Sequence, residues 1–209
     1  MLITALTKQT KTKTRVEIDY DKTLVLSDKD IGLYGLKENE EIPESTYAAI
    51  LKQLRSAALI KCGSLLGDMD CSATALKSKL IRAGFPDETA EEAVREMENA
   101  GYVDDRRYAD NYIRYHLKEH GVARIRMELL RKGVASSLIE ETLASLEEDG
   151  SVKDQEREQI LRLMEKRHYD PQTADRDESR KMAAYLMRRG YSSEMIRSMM
   201  RGGDPYSDF

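Results

Sequence analysis

Two histidines in this sequence have the spacing of metal ligands on a helix. His116 and His120 are four residues apart and share a helix face, as do the zinc-binding histidines of an HExxH motif. That motif also needs a glutamate directly after the first histidine, and Leu117 occupies this position. We therefore expect both histidines to be surface residues and predict no metal site.

Paired carboxylates at Asp104 and Asp105 are a second candidate for metal chemistry, because divalent cations prefer oxygen ligands. No further cluster of Asp, Glu or His stands beside them at a recognisable spacing. The pair precedes a helical pattern, where an aspartate can accept hydrogen bonds from the free N–H groups of the first turn. We predict a helix cap.

The remaining motifs also argue against catalysis. Cys62 and Cys71 form neither a CxxC pair nor a four-ligand zinc set, so we expect buried, reduced thiols. The sequence lacks the GxxxxGK[ST], GxGxxG and GxSxG motifs. We expect no enzyme activity and no cofactor.

Composition predicts a mainly α-helical protein. The 209 residues include 11 Tyr, 2 Phe and no Trp, whereas strong helix formers are abundant. The net charge of −4 disfavours a histone-like class, so nucleic-acid binding would need a local basic stripe. No apolar run approaches the ~20 residues of a membrane span, and the N-terminus lacks a signal-peptide pattern. We expect a cytoplasmic monomer without membrane contact.

The first 44 residues have the pattern of β-strands. Val16, Ile18 and Tyr20 alternate onto one face, Asp21-Lys22 offers a turn, residues 23–26 form a second strand, and residues 2–6 are a possible third. Because a lone hairpin is marginal in water, we predict a β-hairpin or β-meander cap on the helices. The acidic junction that follows, near residues 32–43, is predicted to be mobile.

From Ser45 onward the sequence predicts nine helices, each with apolar residues at helical spacing and most with a capping residue at the start. The predicted ranges are 45–66, 71–83, 87–100, 104–119, 122–132, 136–148, 152–167, 176–189 and 193–201.

An internal repeat emerges when the chain is aligned on Gly84, Gly133 and Gly190. Apolar residues recur eight, four and three positions before each glycine, and we expect them to form one buried stripe. They are Leu76, Leu80 and Ile81; Ile125, Leu129 and Leu130; and Met182, Leu186 and Met187. An apolar residue also follows each glycine, as in a Schellman helix end.

The register predicts three tandem three-helix repeats, at 45–101, 102–150 and 151–209, after a β-rich cap at 1–44. Because each repeat is too small to bury its own apolar face, neighbouring repeats must pack together into an elongated, curved rod. Such rods bind macromolecules more often than they catalyse reactions.

Basic residues cluster around the repeat glycines, and two interpretations remain open. Cations in a last helical turn complement the helix dipole, which stabilises by about 0.3–1 kcal/mol each. A row of repeated cations would also suit phosphates or a periodic acidic protein surface, where weak contacts multiply through avidity. The candidate binding set is Arg82, Arg124, Arg126, Arg131, Lys132, Arg188 and Arg189.

Tyr108, Tyr112 and Tyr115 recur at helical spacing. We predict half-buried packing for them, and an interface stripe is the alternative.

Two motifs resemble the RecX family of regulators of the bacterial recombinase RecA. They are Gly101-Tyr102-Val103-Asp104-Asp105-x-Arg107-Tyr108-Ala109 and Gly121-x-x-Arg124-Ile125-x-x-Glu128-Leu129-x-x-Lys132-Gly133-Val134. Related patterns flank them at residues 76–85 and 185–192. The family's three tandem three-helix repeats agree with the glycine register.

The resemblance implies a non-enzymatic modulator that lies in the groove of the RecA filament on single-stranded DNA and contacts successive protomers. It implies slower filament growth or faster disassembly, with lower recombinase, ATPase and repressor-cleavage activity. The basic set above is then the filament-facing stripe, with a weak direct contact to DNA left open. The alternative is a helical DNA-binding module or transcription-associated adaptor that acts without RecA.

Overall fold

The computed structural model describes residues 1–148 and 150–201, in two compact units, Met1–Asp104 and Asp105–Phe209. The predicted end of the third repeat, at residue 209, lies outside the described residues. The first unit contains β1 (Ile3–Lys8), β2 (Lys13–Ile18), β3 (Lys22–Ser27), α1 (Asp28–Leu33), α2 (Glu44–Asp68), α3 (Ala73–Arg82) and α4 (Asp87–Asn99). The second contains α5 (Asp105–His116), α6 (Val122–Arg131), α7 (Ser136–Glu148), α8 (Ser151–Lys166), α9 (Arg176–Arg188) and α10 (Ser193–Met200).

The N-terminal strands form the predicted antiparallel meander, in the order β1-β2-β3. Val16 and Ile18 are fully buried, as their alternation predicts. The expectation for Tyr20 was wrong, because its ring is 85% exposed. Asp19 and Tyr20 both have positive φ and form the turn between β2 and β3, so the strand period ends at Ile18.

The junction after the sheet also differs from expectation. A short helix, α1, begins in a capping box, in which Ser27 and Asp30 each accept the other's backbone N–H bond at 3.2 Å. The stretch that we expected to be mobile pairs with the sheet, since Ile3 N–H donates to Glu40 O at 3.0 Å and Asn39 N–H to Ile3 O at 2.8 Å. The S-x-x-D pattern is the signal that could have located α1.

The nine helices predicted from Ser45 onward are confirmed as α2 to α10, with every end within three residues of its predicted position. Their periodicity and caps are local signals, which explains this agreement.

Four apolar clusters form the interior of the described chain. The inner face of the sheet packs on Ile50 and Leu54 of α2. A second cluster joins the remainder of α2 to α3 and α4. In the second unit, one cluster lies among α5, α6 and α7 and extends to Val152, and the other lies among α8, α9 and α10. Three of the four clusters therefore follow groups of three successive helices, and the fourth joins the sheet to α2.

None of the helices in residues 1–148 and 150–201 combines the length and the apolar character that crossing a bilayer needs.

Candidate interaction surface

The three repeat glycines end their helices in the same way. Each has a positive φ, of 98° at Gly84, 83° at Gly133 and 93° at Gly190. The residue after each glycine donates its N–H to the carbonyl five positions earlier, and the glycine donates to the carbonyl three positions earlier, which is the Schellman pattern. The apolar residue after the glycine is buried at Val134 and Tyr191 and half-buried at Phe85.

The residue three positions before each glycine is exposed, which overturns part of the predicted stripe. Ile81 is 42% exposed, Leu130 43% and Met187 53%. The residues eight and four before the glycine are buried because they lie one turn apart, whereas the next residue is rotated by about 100° around the helix. Each repeat therefore presents one large apolar side chain at the same position.

An exposed arginine follows each of these apolar residues. Arg82 donates from Nε to the Ser78 carbonyl of its own helix at 3.3 Å. Arg131 and Arg188 form no ion pair or side-chain hydrogen bond within the part of the chain that the structure describes. The recurring surface unit is thus an apolar residue beside an arginine: Ile81–Arg82, Leu130–Arg131 and Met187–Arg188. We call these the apolar–arginine pairs.

Arg124 and Arg126, also in the predicted set, have carboxylate partners within the second unit. Arg124 Nε donates to Glu128 Oε1 at 2.9 Å. Arg126 donates two hydrogen bonds to the Glu140 carboxylate, from Nε at 2.6 Å and from Nη2 at 2.9 Å. These bonds from a cation lower the pKa of Glu140. Arg126 therefore links α6 to α7.

The last two predicted cations also contact their own unit. Lys132 Nζ lies 5.2 Å from the ring centroid of Tyr112. Arg189 Nη1 donates to the Glu119 carbonyl at 3.0 Å, and its guanidinium lies 5.0 Å from the ring centroid of Tyr185. Four of the seven candidates thus have partners within their own unit: Arg124 and Arg126 pair with carboxylates, and Lys132 and Arg189 contact α5 and the turn after it. The arginines of the three apolar–arginine pairs face solvent.

Two glycines bring the end of α9 against the start of α6. Gly121 N–H donates to Arg189 O at 2.9 Å, and Ala123 N–H donates to Gly190 O at 3.2 Å. A Cβ atom on Gly121 would lie 2.4 Å from the carbonyl carbon and oxygen of Gly190. The backbone-to-backbone contact therefore requires glycine at position 121, and it orients the Met187–Arg188 pair relative to α6.

Glu156 is a buried carboxylate that the sequence analysis missed. It is 6% exposed, and Oε1 accepts the Val122 N–H bond at 2.7 Å, at the first residue of α6. Burial raises the pKa of Glu156. The signal that could have found it was its spacing, since Val152, Glu156, Ile160 and Met164 stand four apart on one buried face of α8.

The tyrosine stripe on α5 is only partly buried. Tyr108 is 9% exposed and Tyr112 is half-buried, which confirms the packing prediction, but Tyr115 is 69% exposed. The Tyr112 hydroxyl donates to Glu128 Oε2 at 2.7 Å. Burial and this carboxylate raise the pKa of Tyr112, while the bonds from Arg124 and Tyr112 lower the pKa of Glu128.

The two histidines were expected at the surface, but both are half-buried. The His116 ring lies 4.1 Å from the Tyr112 centroid and is nearly parallel to His120 at 6.1 Å. Burial lowers the pKa of His116. No group of three or more metal-ligating side chains occurs among the described residues.

The paired aspartates and the two cysteines lie at a helix start and in the core, respectively. Helix α5 begins at Asp105, so Asp104 occupies the predicted cap position. Cys62 and Cys71 are buried within the core of α2, α3 and α4, as predicted.

These observations define a helical-repeat protein of three-helix units, each ending one helix in a glycine turn. The comparisons with known proteins agree with this class. A model of the second three-helix domain of RecX matches residues 104–143, and a model of the third three-helix domain matches residues 154–200. The chain belongs to the RecX family of regulatory proteins.

Relatives of known sequence support this membership. The regulatory protein RecX of Trichlorobacter lovleyi is 36% identical over 140 residues, covering 65% of this chain and 88% of the relative. The regulatory protein RecX of Clostridium botulinum strain Eklund 17B is 27% identical over 207 residues, covering 95% of this chain and 94% of the relative.

Two crystal structures share the fold. A regulatory protein RecX superposes with a TM-score of 0.61 at 19% identity, over 95% of this chain and 98% of the other. RecX from Lactobacillus salivarius superposes with a TM-score of 0.63 at 19% identity, over 72% and 96%.

Proposed function

We propose that this protein is a non-enzymatic regulator of the RecA recombinase that binds in the groove of the RecA–DNA filament. It inhibits or modulates the recombinase, ATPase and repressor-cleavage activities by contacting successive protomers. The proposal extends the family relationship, and one observation carries it: an apolar–arginine pair recurs at the same position of three repeats. A repeating binding surface suits a repeating partner, because weak contacts at several sites add in free energy.

The chemistry of the apolar–arginine pairs favours a protein surface over DNA phosphates alone. Phosphates are bound by cations and polar groups, and burying Leu130 or Met187 adds nothing to such a contact. Against a protein, an exposed aliphatic side chain fills an apolar pocket while the adjacent arginine pairs with a carboxylate at its rim. Of the seven predicted residues, we expect Arg82, Arg131 and Arg188 to make the main contacts.

The contacts of the other four residues support a different role. The contacts that hold α5, α6, α7 and the end of α9 in place come from Arg124, Arg126, Lys132 and Arg189. Their effect on binding is therefore expected to be indirect.

The repeats are proposed to span residues 45–101, 102–150 and 151–209.

The test is RecA ATP hydrolysis on single-stranded DNA with increasing amounts of this protein, well below one per recombinase. We expect strong inhibition, and about tenfold more protein needed after the triple change Ile81→Ser, Leu130→Ser and Met187→Ser. The charge reversals Arg82→Glu, Arg131→Glu and Arg188→Glu should have a similar effect. The matched control reverses three exposed cations elsewhere: Lys61→Glu, Arg95→Glu and Lys181→Glu. An equal effect in the control would contradict the assignment to the pairs.

The alternative, a DNA-binding module that acts without RecA, predicts a different result. The rate of ATP hydrolysis by RecA would be unchanged, and the affinity for DNA in the absence of RecA would fall steeply as the salt concentration rises. The serine variants would then bind DNA as the unmodified protein does.

A further inference from the structure

The hairpin of β1 and β2 carries a local excess of positive charge near its turn. Residues 8–15 contain Lys8, Lys11, Lys13 and Arg15 and no acidic residue, in a chain whose net charge is −4. Lys13 and Arg15 alternate with the buried Thr14 and Val16, so both point away from the core, about 7 Å apart along β2. The hairpin of β1 and β2 thus presents cations on the face that does not pack on α2.

The turn between α3 and α4 lies over this outer face. A Cβ atom on Gly84 would lie 2.7 Å from Cβ of Val25, which is paired with Arg15 across β2 and β3. Only a residue without a side chain permits this approach. The contact brings Ile81 and Arg82, at the end of α3, opposite Lys13 and Arg15.

A groove of about 560 Å³ separates the two walls. Lys13 and Arg15 line one wall, and Ile81, Arg82 and the half-buried Phe85 line the other. Gln9, Thr10 and Thr23 add hydrogen-bonding groups. The groove is therefore cationic and polar, with an apolar strip along one side.

The positive charge in the groove is largely uncompensated. Asp87 alone is acidic among the described residues that line it, and Lys77 Nζ already pairs with this carboxylate at 3.0 Å. With the Gln9 amide turned so that its oxygen faces Arg15, the guanidinium donates two 2.9 Å bonds to that oxygen, a neutral partner that does not cancel the positive charge. Lys11 and Lys13 form no ion pair within the described part of the chain, whereas Lys8 pairs with Asp28.

We propose that this groove binds single-stranded DNA, with Lys13 and Arg15 contacting phosphates and Phe85 contacting bases, beside the Ile81–Arg82 pair that faces the protein partner. Cations spaced along a strand suit successive phosphates of one backbone. A single strand exposes the faces of its bases, which an apolar wall can contact, whereas a duplex hides them. The choice of DNA over RNA rests on the proposed function, because that filament is assembled on single-stranded DNA. The N-terminal sheet is then a binding element.

The experiment measures fluorescence anisotropy of a labelled oligothymidylate with the full chain and no RecA, at salt concentrations between about 50 and 200 mM. The variant is Lys13→Glu with Arg15→Glu, which leaves the apolar–arginine pairs intact. We expect affinity to fall about tenfold or more at low salt. The slope of log affinity against log salt should also become shallower by about 0.7 for each phosphate that the variant no longer neutralises.

The matched control is Lys52→Glu with Lys61→Glu, the same change in net charge at exposed positions of α2 outside the groove. Circular dichroism and melting confirm that both variants are folded. Unchanged affinity in the groove variant, or an equal decrease in the control, would overturn the proposal.

Three further probes distinguish single-stranded DNA from a duplex, from RNA and from an acidic protein as the ligand of the groove. Tighter binding of a duplex would refute the single-strand assignment, and tighter binding of an oligouridylate would refute the choice of DNA. If the groove variant loses binding to polyglutamate but not to oligothymidylate, the groove binds an acidic protein and the proposal is wrong. A photocrosslinkable thymidine analogue should attach to residues 9–15 or 81–87. Because RecA is absent, failure here leaves the proposed function unaffected.

Discussion

Glu156 accepts a 2.7 Å hydrogen bond from the backbone N–H of Val122, which joins the middle of α8 to the first turn of α6. The carboxylate is buried beside the close contact of Gly121 with Gly190. A negative charge at a helix N-terminus is favourable, but burial opposes it and raises the pKa. This one residue therefore connects two three-helix groups within the second unit.

The first prediction concerns the pH dependence of stability. An acid whose pKa is higher in the folded chain binds more protons when folded, so the free energy of unfolding falls as pH rises from the ordinary value of 4.5 through the raised value. Glu156→Gln retains an accepting oxygen without a charge and should remove this fall. Urea denaturation of both proteins across this pH range provides the measurement.

Glu156→Leu tests the hydrogen bond itself. It leaves the Val122 N–H buried without its partner, which should cost about 1–3 kcal/mol in the free energy of unfolding at neutral pH. If Glu156→Gln were as destabilising as Glu156→Leu, the charge and not the bond would be the stabilising feature.

The second prediction concerns the close approach of Gly121 and Gly190. Gly121→Ala should destabilise the second unit by about 2 kcal/mol or more, because the new Cβ would meet the Gly190 backbone at 2.4 Å and force the α9 end away from α6. The control is Gly63→Ala within α2, where a Cβ meets nothing within 4 Å. This control should raise stability by about 0.5–1 kcal/mol. Thermal unfolding distinguishes the two.

A third prediction separates structural from binding arginines. Arg126 and Glu140 are 38% and 50% exposed, so Arg126→Gln should cost no more than about 1 kcal/mol in stability. Its effect on RecA ATP hydrolysis should be smaller than that of Arg131→Gln, which removes an exposed charge in an apolar–arginine pair. A larger functional effect at Arg126 would contradict the division of the basic set.

A fourth prediction concerns His116. Burial lowers its pKa in the folded chain, so the unfolded chain binds more protons as pH falls below the ordinary value of 6.5. Its contribution to stability is therefore present above pH 6.5 and is lost as the pH falls through the lowered value. The ring resonances of His116 should titrate below 6.5 in a proton NMR experiment, and His116→Phe should reduce the acid sensitivity of the second unit.

Local signals explain what could be predicted of the candidate surface. The positive φ, the apolar residue after the glycine and the basic residue two positions before it belong to one helix end, so repetition in the sequence implies repetition in the structure. The exposure of Ile81, Leu130 and Met187 was not predictable in this way. It depends on how wide a face of each helix its neighbours cover, and the apolar residue type alone suggested burial.

The sequence by itself determined helices α2 to α10, the strands, the glycine turns and the positions of Arg82, Arg131 and Arg188, because propensity, capping and periodicity act within a few residues. Only the tertiary structure decided the burial of Glu156, the backbone contact of Gly121 with Gly190, and the groove where Gly84 meets Val25. These features join residues that are far apart in the chain, and they depend on packing geometry at the scale of a single methyl group.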